Sequence, residues 1–295
     1  MSNYILTSCS PADITRDYFQ KLDIPYVCFH YELGGASYQD DLWTSMSPKV
    51  FYQKMIDGAM TRTSQVNSME YVNFWRPFLE AGKDIVHVTL SSGLSGTYNS
   101  ACTAAESLRH DFPDRKIAVI DSLAASSGFG LLLDTLAELR NQGASMQELV
   151  DFAEKEKLHL HHWFFSSDLT FYIRGGRVTK TAGFFGKLLN ICPLLNVNNE
   201  GHLIPREKIR TKKKAIQVIV ERMKEHADGG LNYSRKCFLS HSDRLEDAQE
   251  VAALVEQTFP NLQGKVQIFN IGSTIGAHTG PGTIALFFWG DLRQN

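Results

Sequence analysis

The chain lacks any surplus of charge: 30 Lys+Arg stand against 32 Asp+Glu, for a formal net charge of −2. No long block of like charge is present, which argues against a general nucleic-acid binder or a membrane-surface protein. Cysteine is scarce. Cys9, Cys28, Cys102, Cys192 and Cys237 are odd in number and show no C-x-x-C spacing, so they read as reduced thiols rather than a disulfide framework. No apolar run approaches the roughly 20 residues of a membrane span, and the first residues lack the basic-then-apolar pattern of a secretory signal. A cytoplasmic protein without stable membrane insertion is expected. What is present is ordinary for a globular chain of 295 residues: 43% hydrophobic and 21% charged, enough for a sizeable core in one large domain or two smaller ones.

Apolar runs and helical patterns alternate along the chain. Strands are expected at 4–10, 24–30, 85–90 and 117–120, and helices at 48–56, 67–80, 98–109, 126–141 and 145–157, with Pro77 bending or ending the second of these. The mainly apolar runs at 85–90 and 117–120 read as strands buried on both faces, as in a parallel sheet covered by helices on both sides. This is the pattern of an α/β fold. A boundary is placed near residue 159, giving domains 1–158 and 159–295. Beyond it, the reading is a strand at 159–167, a helix at 180–190, a hairpin turning at Asn198-Asn199-Glu200-Gly201, a helix opening in the basic run 206–214, and further strands at 236–241, 265–270 and 283–289.

The strand at 85–90 runs into Ser91-Ser92-Gly93-Leu94-Ser95-Gly96-Thr97, and a helix follows. Backbone N–H groups, hydroxyls and a helix N-terminus converge there, so the turn reads as an anion site. It has no lysine for a P-loop, the glycine spacing fails a dinucleotide fingerprint, and Gly93-Leu94-Ser95-Gly96-Thr97 misses the nucleophile elbow. A tight turn with no ligand is the plain alternative.

Three further segments stand out. Thr61-Arg62-Thr63-Ser64-Gln65 is a second hydroxyl cluster, read as a loop. His159-Leu160-His161-His162 invites a metal reading, but no Cys or acidic partner has ligand spacing nearby, so a hydrogen-bonded set is expected. Ile271 to Gly282 places four glycines around His278, read as a loop whose histidine faces a ligand.

Thr63-Ser64-Gln65, the run from Ser91 to Ala101, Asp121-Ser122, Gly175-Gly176-Arg177, Arg210-Thr211-Lys212-Lys213-Lys214-Ala215 and Ile271 to Gly282 together resemble the DegV family, the bacterial fatty-acid-binding proteins that include the FakB-type subunits of fatty acid kinase. The resemblance covers essentially the whole chain. It implies an N-terminal α/β domain with a mainly parallel sheet, a C-terminal α/β domain with a mixed sheet, and one long-chain fatty acid in a tunnel between them. It further implies that Thr63 and Ser95, with Ser92 and Gly96 of the same turn, hold the carboxylate, that His278 sits at that end, and that Arg210 and Arg174 lie near the head group or the kinase-docking face. No metal and no cofactor is implied; the partner would be a separate kinase making acyl phosphate for phospholipid synthesis. Two positions depart from the family pattern: Thr7-Ser8-Cys9 replaces Thr-Asp-Ser, and Val66 follows Gln65 where proline is usual.

The chemistry agrees. About 15 buried methylenes at ~0.8 kcal/mol each supply a gross ~12 kcal/mol, less the costs of association, and aromatic pairs such as Phe164-Phe165 and Phe184-Phe185 could line a tunnel. A buried carboxylate needs charge-assisted hydrogen bonds, which the hydroxyls can give. A phosphate would call for more lysine and arginine at the turn. Two other classes are weighed: an acyl hydrolase with Ser95 as nucleophile, His278 as base and Asp121 as orienter, and a DNA-associated regulator suggested only by the basic run.

Overall fold

The computed structural model describes residues 3–179 and 191–295. The helix expected at 180–190, with Phe184 and Phe185, lies outside the described residues. In chain order the elements are β1 (Tyr4–Cys9), α1 (Arg16–Lys21), β2 (Tyr26–Val27), β3 (His30–Leu33), β4 (Ala36–Gln39), α2 (Pro48–Ile56), β5 (Thr61–Ser64), α3 (Ser68–Glu80), β6 (Asp84–Thr89), α4 (Thr97–Asp111), β7 (Ile117–Asp121), α5 (Ser126–Asn141) and α6 (Met146–Glu156). They continue with β8 (Leu160–Ser166), α7 (Thr170–Arg174), β9 (Ile191–Val197), β10 (Leu203–Arg210), α8 (Lys212–His226), β11 (Phe238–His241), α9 (Leu245–Thr258), β12 (Gln267–Asn270), α10 (Ser273–Thr279) and β13 (Thr283–Trp289).

Three sheets form. The first, in the order β2-β1-β6-β7, is parallel throughout. Ile85, Val86 and Val88 of β6 have no exposed surface, as a central strand covered on both faces requires. The second, β10-β9-β8-β13-β11-β12, is mixed: β11 and β12 run parallel and the other pairs antiparallel. The third was not anticipated: an antiparallel sheet, β4-β3-β5. With α2 it closes over a core of its own, built from Tyr31, Leu33, Phe51, Tyr52 and Met55, which also takes in Ala277 of α10.

Between the two large sheets runs α5. It is buried on nearly every side from Ser126 to Ala137, because one flank meets the short turn after β1 and the other meets β8, β11 and β13. Its glycines permit this. A Cβ on Gly130 would lie 2.6 Å from Ile14 and 2.7 Å from the Ala12 carbonyl, while one on Gly128 would collide with the His162 ring.

Three local readings change. Thr61–Ser64 is a strand, β5, because it pairs with β3 across Thr63↔Tyr31. Ile271 to Gly282 is not a loop throughout: Ser273–Thr279 is helical, stopped by Gly280 at φ +67°, where only glycine is at ease. The basic run divides, since residues up to Arg210 belong to β10 and the helix starts at Lys212. In α3, Pro77 falls in the last turn and the helix runs past it to Glu80.

Candidate functional site

A cavity of about 340 Å³ opens between the two large sheets, a size suited to a small ligand. Its floor comes from the second sheet by strand alternation: His162 and Phe164 of β8 and Thr283, Ala285 and Phe287 of β13 all face it, each set spaced by two. Leu90 and Leu94 close the side nearest β6, while Phe29, Ile271 and Ile275 add further apolar wall. This period-two pattern was legible in the sequence, yet nothing there told which face of each strand would meet a cavity rather than a helix.

One group of polar lining residues is linked by hydrogen bonds, while Ser126, His162, Tyr172, Thr274, Thr279 and Thr283 also line the cavity. Thr63 leaves β5 and its Oγ1 lies 2.7 Å from His278 Nε2 on α10. Ser95 Oγ donates to Gln65 Oε1 at 3.3 Å, and Gln65 Nε2 donates to Ser100 Oγ at 3.0 Å. Arg177 completes the group: its Nε donates to the Leu94 carbonyl at 3.1 Å and Nη1 to the Gly175 carbonyl at 2.7 Å. All five of Thr63, Gln65, Ser95, Arg177 and His278 line the cavity. The N-terminus of the 15-residue α4 begins two residues after Ser95, so its dipole adds positive potential here. Burial, helped by the Arg177 charge, pushes the His278 pKa down to about 4, so the ring is neutral at pH 7. Its Nδ1 is buried without a hydrogen-bond partner, packed against Gly175, where a Cβ would strike it.

Of the expected site residues, Thr63, Ser95 and His278 come together in this lining. Arg174, Arg210, Ser92 and Gly96 are not among the described residues that line the cavity. Arg174 is exposed, lies over the Phe171 ring and points Nη1 at Met60 Sδ, because α7 turns it outward one residue before the glycine pair. Arg210 is exposed at the end of β10. Ser92 faces solvent, its N–H donating to Asp121 Oδ1 at 3.1 Å, and Gly96 is an exposed helix cap against Gln65. Among the described residues, the cation at the cavity is Arg177 instead. The hydrolase arrangement does not form among the described residues: Ser95 bonds Gln65, His278 bonds Thr63, and Asp121 accepts from Ser92 and Leu123 N–H groups.

Comparison with known proteins decides the family. The family model described as "uncharacterised protein, DegV family" matches residues 6–291. The chain belongs to the DegV family. A DegV domain-containing protein of Clostridium perfringens is 35% identical over 295 residues, covering all of both chains. Among solved structures, the fatty-acid-binding DegV protein of Thermus thermophilus is 27% identical with a TM-score of 0.82, covering 97% of this chain and 99% of that one. The Streptococcus pneumoniae fatty acid kinase B3 protein, loaded with linoleic acid, shares the fold at 22% identity and a TM-score of 0.83, covering 99% and 100%. Parallel N-terminal and mixed C-terminal sheets are thus the DegV architecture. No helix among the described residues is long and apolar enough to cross a membrane.

Proposed function

We propose that this DegV protein binds one long-chain fatty acid in the cavity between its sheets, carboxylate toward Thr63, Ser95 and Arg177, as a carrier without catalytic activity or cofactor of its own. The observation that carries this is the convergence of the Thr63 and Ser95 hydroxyls, the His278 imidazole and the Arg177 guanidinium in a cavity that is also walled by Phe29, Leu90, Leu94, Phe164, Ile275 and Phe287. A neutral His278 protonated on Nε2 donates to Thr63 Oγ1, which leaves the Thr63 hydroxyl proton free to point at a carboxylate. Ser95 can turn its hydroxyl from Gln65 to the same anion, and Arg177 supplies the compensating charge that a buried carboxylate needs. The T. thermophilus relative, described as fatty-acid-binding, supports the ligand class.

The test is mass spectrometry of lipid extracted from the purified protein, with native mass for stoichiometry. One equivalent of a C14–C18 fatty acid is expected; protein that carries none and fails to take up oleate or palmitate would refute the reading.

Within the same proposal, the carrier presents the carboxylate to a separate kinase that forms the acyl phosphate, the protein remaining in the cytoplasm. The surface carrying Arg210, Lys213 and Lys214 is exposed and is its docking candidate, whereas Lys212 is engaged by Asp247 Oδ1 at 2.6 Å. Arg210→Glu should weaken kinase-coupled acyl-phosphate formation and leave lipid affinity unchanged. Loss of lipid affinity in that variant would move Arg210 into the binding site.

A further inference from the structure

On the outer face of the second sheet, away from the cavity, three potential metal ligands converge from distant parts of the chain. His161 stands on β8, His226 is the last residue of α8, and Asp291 follows β13. One ligand atom from each lies within 4.8 Å of the other two. Asp291 Oδ1 is 3.0 Å from His161 Nε2 and 3.1 Å from His226 Nδ1. We propose that His161, His226 and Asp291 form a binding site for a zinc-class divalent cation.

The chemistry of the set fits. Two imidazoles and a carboxylate are ligands of intermediate hardness suited to zinc, with a fourth position for water. Tetrahedral bonds of about 2.05 Å place ligand atoms about 3.3 Å apart, so the carboxylate needs to move only a few tenths of an ångström from each nitrogen. The two rings lie within 19° of parallel, centroids 4.9 Å apart. To present its lone pair, the His226 ring must turn from its place between the His161 and Trp163 rings, and the two ring nitrogens, within 4.8 Å of each other, must close on the ion.

His161 is fixed more firmly, 4% exposed and packed flat against Phe288 at 5.1 Å. Its Nε2 now donates to the Asp291 carbonyl at 2.9 Å; to ligate through Nε2, the ring takes the other neutral tautomer, with the proton on Nδ1. The Asp291 side chain is 55% exposed, which opens an entry path and the water position. The stretch His159-Leu160-His161-His162 was the metal candidate in the sequence, and His226 and Asp291 were not seen because they stand 65 and 130 residues beyond His161.

The cation has a structural role in this arrangement. Asp291 N–H donates to the His226 carbonyl, and two residues later Arg293 sends both terminal nitrogens to the Leu123 carbonyl at 3.2 Å. A metal here pins the segment that ties the second sheet to the end of the first.

The test is zinc binding by tag-free full-length protein, followed by isothermal titration calorimetry and by metal analysis after gel filtration. Wild type should hold one Zn²⁺ per chain, with its melting temperature raised by ZnCl₂ and lowered by EDTA. His226→Gln and Asp291→Asn change partly exposed positions; each should weaken zinc binding on the order of a hundredfold and abolish the melting shift, as expected for loss of one ligand of three. Fatty-acid binding by the metal-free variants should be intact. Absence of stoichiometric zinc from wild type after incubation with ZnCl₂, or equal zinc affinity in wild type and both variants, overturns the site.

Discussion

The proposed binding end depends on few atoms. Thr63 and Ser95 reach the cavity from two different loops or edges, and each hydroxyl is already spoken for by a neutral partner, His278 or Gln65. A bound carboxylate would recruit them as donors in charge-assisted bonds, so Thr63→Ala and Ser95→Ala should each cost about 1–3 kcal/mol of fatty-acid affinity. Titration with a fluorescent fatty acid checks this, and unchanged affinity in both variants would remove them from the cradle. At this scale the sequence was readable where a residue type is unusual for its setting: hydroxyls beside a helix start, a histidine among glycines. It was not readable for Arg177, because Arg174 and Arg177 flank the same glycine pair and only the short helix ending at Arg174 decides which one turns inward.

At the scale of elements, the hairpin of β9 and β10 holds the serine turn from the opposite sheet. Ser91 Oγ donates to the Gly201 carbonyl at 2.9 Å and accepts from Gly93 N–H at 3.1 Å. A Cβ on Gly201 would land on that hydroxyl, and Gly201 sits at φ +76°, as does Gly82, whose Cβ position is open. The pair separates strain from collision. Gly82→Ala should cost about 1 kcal/mol for the left-handed backbone alone. Gly201→Ala should cost about 2–3 kcal/mol, adding the displaced Ser91 and its hydrogen bonds. Urea denaturation measures both, and equal losses would mean that the hairpin does not brace the turn. The hairpin was evident in the sequence from Asn198-Asn199-Glu200-Gly201, and most strands and helices from their periodicity. What escaped were the elements defined by long-range pairing: β5, held as a strand only by β3, and α10, whose glycines look like loop residues until Tyr52 and Phe51 are seen packed against Gly276.

For the whole molecule, stability should depend on acid through histidines spread over both large sheets and α10. His87, in β6, is fully buried with Nδ1 2.9 Å from Thr7 Oγ1 and Nε2 unpartnered, and burial pushes its pKa down to about 3. His161 and His278 are each pushed down to about 4, chiefly by burial, and His162 and His241 are lowered for the same reason. Unfolded histidines take up protons near pH 6.5. Below that pH the unfolded chain binds protons that the folded one refuses, so the histidine contribution is complete above about 6.5 and is lost as pH falls toward 4 and, for His87, toward 3. Each histidine adds a slope of up to about 1.4 kcal/mol per pH unit. Asp13 and Asp40 act oppositely, since burial raises both: the folded state then holds protons the unfolded state has released, which offsets part of the loss as pH falls through their raised values. Five histidines against two aspartates leave a net fall. The urea midpoint should therefore be level near pH 7 and decline from 6.5 to 4. His87→Phe isolates one member, because it removes the titrating ring while keeping an aromatic one edge-on to Tyr71 and Trp75, whose centroids lie 5.1 Å from that of His87. The variant's stability–pH profile should be flatter than wild type between pH 6.5 and 4 by about 1.4 kcal/mol per unit, one proton's worth. Parallel profiles would mean that His87 is charged inside the fold or that the unfolded chain holds it neutral, and either result breaks the argument from burial.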